Sequence, residues 1–229
     1  MCIRDRNEGA YGGRYGKDAM DSVDNLMANT RNNPIEELDL RFPIRCDQYE
    51  LRPEPASPGR WRGGIGIIRR NRFLVDGVYS CEGDRQTDPP RGIFGGWDGL
   101  VASCRKNPDT EREEILPAKV TGIPFGAGEF IEFREPNAAG YGDPLDRPAD
   151  AVREDVLDDF TTIELARDAY GVVFADEGTL EIDAQATDAL RAELRAKPRG
   201  SSLTEFYRDR LPQANKPVSV AGNAEFGMS

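Results

Sequence analysis

Glycine and proline recur so densely before residue 150 that a long helix has no room there. The chain carries 24 Gly and 16 Pro in 229 residues. Inside a helix, Gly costs backbone entropy, and Pro lacks an N–H and clashes with the preceding turn. Short strands and ordered loops are therefore expected first, with helices placed later. The expected class is α+β: a β-rich region with hairpins followed by a small helical C-terminal region.

The apolar pattern fills in this outline. Leu38, Leu40, Phe42 and Ile44 alternate, which predicts a strand over residues 36–49, at an edge or in a bulge because of Pro43. Residues 65–75 and 78–81 are β-rich runs separated by Asp76-Gly77, which predicts a hairpin. Residues 83–110 read as turns, and residues 116–123 and 129–133 as further strands. Composition then shifts. Pro148 suits a first helical position after Asp146, and Ala149, Val152 and Val156 share one face. Thr161 with Glu164 reads as a capping box for a second helix, which Gly171 ends. A small hairpin over 172–182 and a helix over 184–196 complete the pattern. The expected boundaries are a non-native or disordered start at 1–8, a β-rich region at 9–146, helices and small elements at 147–196, and a flexible tail at 197–229.

Charge and residue counts exclude several function classes. The net charge of -11 opposes binding to nucleic acid or an anionic membrane. No apolar stretch approaches the roughly 20 residues that span a bilayer. The cysteines Cys2, Cys46, Cys81 and Cys104 form no C-x-x-C, so reduced thiols and a cytoplasmic setting are expected. The chain has no histidine. That removes Ser-His-Asp catalysis and imidazole-bearing metal sites, and leaves acid–base work to carboxylates, Lys or Tyr.

A series of short motifs follows in a fixed order. Asn29 to Glu36 comes first, then Phe42-Pro43-Ile44-Arg45 and Tyr49-Glu50-Leu51-Arg52. Next is Pro58-Gly59-Arg60-Trp61-Arg62-Gly63-Gly64-Ile65-Gly66. Glu82-Gly83-Asp84-Arg85 and Pro89-Pro90-Arg91-Gly92-Ile93-Phe94-Gly95-Gly96 follow. Leu116-Pro117-Ala118-Lys119, Tyr141-Gly142-Asp143-Pro144-Leu145 and Tyr170-Gly171-Val172-Val173 close the set. Over residues 9–175 this order resembles the C-terminal half of the hydantoinase B/oxoprolinase family. That family includes N-methylhydantoinase B subunits, part of 5-oxoprolinase and subunits of acetone-type carboxylases.

The resemblance implies a two-component machine. A hydantoinase A-like partner would bind ATP and phosphorylate the substrate amide or carbonyl. The B component would complete hydrolysis of a small cyclic amide, or carboxylation, with a divalent metal in its N-terminal half. This chain is expected to carry no metal or nucleotide itself: it has no histidine and no G-x-x-x-x-G-K-[ST] loop. It is expected to be inactive alone. Asn137-Ala138-Ala139-Gly140 stands where the family usually carries a run of glycines, which implies a reshaped loop there.

Candidate catalytic residues are Asn29, Asn32, Asn33 and Glu36, whose amides and carboxylate could hold or polarise a cyclic amide or acyl phosphate. The structural alternative is a set of Asx turns. Asp84 is a further catalytic candidate, or else one half of a loop-organising pair with Arg85. Arg60, Arg62, Gly63, Gly64 and Arg85 are candidates for substrate binding, since guanidinium forks suit phosphate and carboxylate. The alternative for the arginines is an internal or interfacial ion pair. Three functions stay open: an ATP-linked cyclic-amide hydrolase subunit, an acetone-type carboxylase subunit, and a non-catalytic module contacting an A-type partner.

Overall fold

The computed structural model describes residues 9–24, 34–196 and 202–208. Its β elements form a five-stranded antiparallel sheet, a two-stranded sheet packed against it, and a small two-stranded ribbon near the helices.

The segment predicted as one strand over 36–49 divides. Ile35–Arg41 is a helix (α1), and strand β1 spans Ile44–Leu51. Leu38 is buried while Leu40 is 86% exposed, so the alternation did not report a buried face. Glu36 and Glu37 in the first turn, Arg41 in the last, and the Glu37–Arg41 pair at 3.1 Å favour helix instead. β1 lies at a sheet edge and carries a register shift between Cys46 and Gln48.

The Asp76-Gly77 hairpin does not form. Strand β2, Ile67–Phe73, pairs with β1, while β3, Gly77–Glu82, joins the other sheet. The Asp76 carboxylate is committed elsewhere, accepting from the Ala127 N–H at 2.9 Å. Phe73 likewise exchanges backbone hydrogen bonds with Gly128 and Glu129. Residues 83–110, read as turns, hold strand β4 at Ser103–Lys106. Strands β5 (Glu114–Leu116), β6 (Lys119–Phe125) and β7 (Phe130–Arg134) follow. The large sheet runs β1-β2-β7-β4-β5, and β3 pairs with β6.

The two faces of the large sheet differ in chemistry. One face joins Cys104, Leu116 and Ile131 to Phe125 from β6, with Phe73, Tyr79 and Phe133 packed around them. The Phe73 and Phe125 rings stack at 4.6 Å. This aromatic contact holds the two-stranded sheet on the larger one. The other face carries a cross-strand ion ladder. Arg70, Glu132 and Arg105 stand side by side on β2, β7 and β4, and Arg134 also reaches Glu132 at 2.9 Å. Burial pushes the Glu132 carboxyl up, but the guanidinium groups of Arg105, Arg70 and Arg134 outweigh it and hold it below the usual range.

The C-terminal helices share a core with the β-rich region. After a 3-10 turn at Pro144–Asp146 come α2 (Ala149–Leu157) and α3 (Ile163–Asp168). Thr162, one residue later than predicted, caps α3 by accepting from the Leu165 N–H. Gly171 ends it at φ +64°, in the left-handed region favoured by Gly. The ribbon β8 (Phe174–Asp176) and β9 (Glu181–Ile182) then leads to α4 (Ala184–Arg195), which Asp183 caps. Val152, Leu165, Ala166, Tyr170 and Val172 pack with Trp97 and Leu100 of the earlier region. Leu203 on helix α5 (Leu203–Phe206) and Tyr207 enter the same core, although sequence placed both in a flexible tail. No helix among the described residues is long and apolar enough to cross a membrane.

Candidate functional site

The glycine-rich motifs converge on one layer between the ion-laddered sheet and the helical core. Residues 57–66, 90–99 and 137–142 run against one another and against the N-terminal segment 9–22, joined by backbone hydrogen bonds. Trp61 and Tyr141 exchange N–H···O bonds at 2.9 and 3.0 Å. Gly63 donates to Ser57, Ala138 to Gly64, Gly140 to Trp97, and Gly13 to Ala139. The spacing is too tight for side chains. A Cβ on Gly63 would lie 2.2 Å from the Ala138 carbonyl oxygen, and one on Gly99 2.0 Å from that of Asn137. Glycine is thus required here for close backbone approach. Where the family usually has glycines, Ala138 and Ala139 are buried within the layer, and Gly63 is the partner that keeps the approach open.

Asn137 fixes this layer. Its Oδ1 accepts from the Gly66 N–H at 2.9 Å, and its Nδ2 donates to the carbonyls of Glu54 and Pro55 at 3.2 and 3.0 Å. A buried charge cluster does the same at the other side. Arg147 grips Asp18 and pairs with Asp155 at 2.8 Å. Burial raises the Asp18 carboxyl, but the Arg147 guanidinium and the Arg62 N–H outweigh it and hold it below the usual range. Burial dominates at Asp155 and holds its carboxyl above that range despite Arg147.

Arg62 belongs to this cluster. It pairs with Asp21 at 3.4 Å and Asp155 at 3.5 Å, and its guanidinium lies 3.6 Å from the Phe160 ring centroid. Gly63 and Gly64 are buried beside it. Arg60 is different. It is exposed, and its guanidinium lies over the Trp61 ring at 4.8 Å. Around Trp61 the layer ends in an aromatic surface. Tyr15 and Tyr141 meet its ring at 5.0 and 5.5 Å, and Phe94 meets Tyr141 at 5.2 Å. Phe94 and Tyr15 are 77% and 79% exposed. Phe94 also holds φ 53°, a costly conformation for a residue with a bulky side chain.

The remaining candidates lie apart. Asn29, Asn32 and Asn33 are outside the described residues. Glu36 sits exposed in the first turn of α1. Asp84 and Arg85 are exposed on the β3–β4 connection, and among the described residues no ion pair joins them. Arg85 takes φ 65° and accepts from the Ala102 N–H at 2.8 Å. No hydrogen bond or ion pair among the described residues links Glu36, Asp84 or Arg85 to Arg60 or Arg62. Sequence reasoning missed Asp18, Asn137, Arg147, Phe94 and Tyr141 as parts of this region. The glycines were the usable signal, since their partners must lie at backbone contact.

The described residues contain no group of three or more His, Cys, Asp or Glu that could hold a metal ion.

Comparison with known proteins gives a consistent picture. A family model described as Hydantoinase B/oxoprolinase matches residues 3–144. The B component of a "Putative D-/L-hydantoinase" from Pseudomonas sp. (strain NS671) is 47% identical over 186 residues, covering 80% of this chain and 31% of the relative. The beta component of caprolactamase from Pseudomonas jessenii is 29% identical over 164 residues, 69% of this chain and 28% of that relative. Among solved structures, ATP-dependent caprolactamase from the same organism aligns with TM-score 0.65 at 25% identity, covering 80% of this chain and 32% of that one. Nucleotide-free acetone carboxylase aligns with TM-score 0.67 at 18% identity, covering 89% and 32%, which is a likeness of fold. The chain thus spans about a third of the length of these relatives. With residues 3–144, more than half of its length, matching the family model, the chain belongs to the hydantoinase B/oxoprolinase family.

Proposed function

We propose that this chain serves as the C-terminal portion of a B-type subunit in an ATP-dependent amidohydrolase that opens hydantoin- or oxoproline-like rings. The observation that carries this reading is the 47% identity to the hydantoinase B component over four-fifths of the chain. In this reading ATP is bound by an A-type partner in a hetero-oligomer, and any divalent metal is held outside the described residues. The surface at Arg60, Trp61, Tyr141 and Phe94 faces the substrate or the partner. A planar cyclic amide can lie against the aromatic rings, and the Arg60 guanidinium can pair with an acyl phosphate. Arg62, Gly63 and Gly64 support that surface from beneath, Arg62 through its internal ion pairs. Asn29, Asn32, Asn33, Glu36, Asp84 and Arg85 remain proposed contributors to catalysis or binding within the assembled enzyme. A cytoplasmic setting accords with the free thiols of Cys46, Cys81 and Cys104.

The exposed aromatic cluster also supports a second reading, a non-catalytic module that docks the A-type partner. One experiment separates the two. The chain, within its full-length B-type protein, is reconstituted with the A-type partner. The assembly is assayed for ATP-dependent opening of hydantoin, 5-oxoproline and a lactam, and for carboxylation of a ketone. The Arg60→Ala variant then loses turnover with binding of the partner unchanged if Arg60 serves substrate. It loses partner binding if the surface is a docking face. Carboxylation in place of ring opening would assign the chain to a carboxylase instead.

A further inference from the structure

Acidic residues outnumber Lys and Arg by 41 to 30, yet one projection of the chain carries two cations that pair with no acid. It is the tight turn Arg14-Tyr15-Gly16-Lys17. Arg14 and Lys17 exchange backbone hydrogen bonds at 3.2 and 3.0 Å. Gly16 supplies the positive φ, +78°, that such a turn needs at its third position. All four residues are exposed, Tyr15 by 79%. Among the described residues, no ion pair or side-chain hydrogen bond engages Arg14 or Lys17. The tip also stands clear of the body, since a Cβ on Gly16 would meet nothing within 4 Å.

The base of the turn is held on both sides. Gly13 donates to the Ala139 carbonyl at 2.9 Å, and Ala19 to that of Arg62 at 3.1 Å. Asp18, next to the tip, is committed inward: its carboxylate accepts from the Arg62 N–H at 2.8 Å and is gripped by Arg147. The Tyr15 ring rests against Trp61 at 5.0 Å, which joins the tip to the aromatic surface around Tyr141 and Phe94. Nothing in the proposed ring-opening chemistry uses Arg14 or Lys17.

We infer that the Arg14–Lys17 turn docks into a carboxylate-lined recess of the A-type partner, with Tyr15 as its anchor and the two cations at its rim. This rests on the two-component reading proposed above, and it leaves Arg60 to the substrate. A projecting tip cannot enclose a small ligand, so its complement is a recess on a second protein. A turn fixed in advance loses little entropy on contact, and an aromatic anchor flanked by charge is the composition of an interface hot spot. Charge complementarity sets the chemistry of the recess. An anionic membrane would meet the chain's whole net charge of -11, whereas a recess meets only the tip.

The test measures affinity between the full-length B-type protein and its A-type partner by calorimetry, without substrate. Arg14→Glu with Lys17→Glu should weaken binding about tenfold or more, because like charges would then face one another. The melting point should not change, since the tip is exposed. Tyr15→Ala should weaken binding about tenfold. A carbodiimide, which joins an amine directly to a carboxylate, should link Lys17 to a partner Asp or Glu. Changing that acid to Lys should restore the affinity of the Lys17→Glu variant. Unchanged affinity in the charge-reversed variant would overturn the inference. So would binding of the chain to phosphatidylserine vesicles that the same reversal abolishes. An assembly that forms through this turn but opens no cyclic amide would refute the proposed function and leave the docking turn standing. Ring opening by an assembly indifferent to the reversal would do the opposite.

Discussion

Arg147 holds Asp18 with both terminal guanidinium nitrogens, at 2.8 and 2.9 Å, across 129 residues of sequence. Through this bond and its contact with Asp155, the start of the helical region is tied to the N-terminal segment and to the glycine layer. Removing one partner of a buried pair leaves the other charged and dry. Arg147→Ala is therefore expected to cost about 3–5 kcal/mol of stability, measured by denaturant unfolding. Arg153→Ala, whose pairs are exposed, should cost below about 1 kcal/mol. Equal effects would mean that the cluster does not hold these segments.

Glycine in the layer serves backbone contact, and this separates two substitutions of the same chemistry. Gly63→Ala would place a Cβ 2.2 Å from the Ala138 oxygen, whereas Gly12→Ala would meet the Ala139 oxygen at 3.5 Å, an ordinary contact. The first is expected to destabilise by about 3 kcal/mol or more, and the second by below about 1 kcal/mol. Thermal melting of both variants checks this, and a melting point unchanged by Gly63→Ala would contradict the packing.

Acid should weaken the fold through depressed carboxylates. The Gly126 N–H, with Asn107 and Lys106, holds Glu129 at about 2, below its ordinary 4.5. A depressed carboxylate contributes stability above its unfolded value and loses it as pH falls through its folded one. Glu129 thus works against unfolding above about 4.5, and its contribution fades between there and about 2. Asp18, Asp47, Glu54 and Glu132 act in the same direction. Asp155, held high by burial, acts in the opposite one. Glu129→Gln should lower stability at pH 7 and flatten the loss between about 4.5 and about 2, as followed by urea midpoints. A parallel acid limb in that variant would show that Glu129 plays no part in the acid response.

Phe94 is unfavourable twice over, in backbone conformation and in exposed apolar surface. Phe94→Gly relieves the first and removes the second. Its melting point should hold or rise by a few degrees, consistent with roughly 1 kcal/mol of relieved strain. In the reconstituted assembly the same variant should lose turnover or partner affinity about tenfold, comparable to the loss of an interface aromatic. Loss of stability with function intact would make Phe94 a packing residue.

Much of the fold was legible where the signal is local. Gly171 ending α3, the helix over 184–196 and the ribbon over 174–182 follow from residues within a turn or two of one another. The failures came where distant contacts decided. Asp76-Gly77 has hairpin chemistry, yet Phe73 and Tyr79 bury against Phe125 from different sheets, and the turn opens. Leu38 and Leu40 alternate like a strand, but a helix buries Leu38 alone. At the site, the glycines around Arg60 marked a place of close approach. They did not identify the partners, because Asp18, Asn137 and Arg147 are joined to it by tertiary contact and by no local pattern. Arg60 and Arg62 looked equivalent in sequence. Burial beside Asp21, Asp155 and Phe160 makes Arg62 internal and leaves Arg60 facing outward.

The proposed role of this family member is to help open a cyclic amide in a reaction driven by ATP, with Arg60 on the working surface. The most direct measurement is product formation by the full-length B-type protein reconstituted with its A-type partner, with and without ATP. ATP-dependent release of a ring-opened acid is predicted, with Arg60→Ala lowering kcat/KM about tenfold or more, a loss of about 1.4 kcal/mol or more in transition-state binding. No turnover of any cyclic amide by an assembly that hydrolyses ATP and carboxylates a ketone would contradict it.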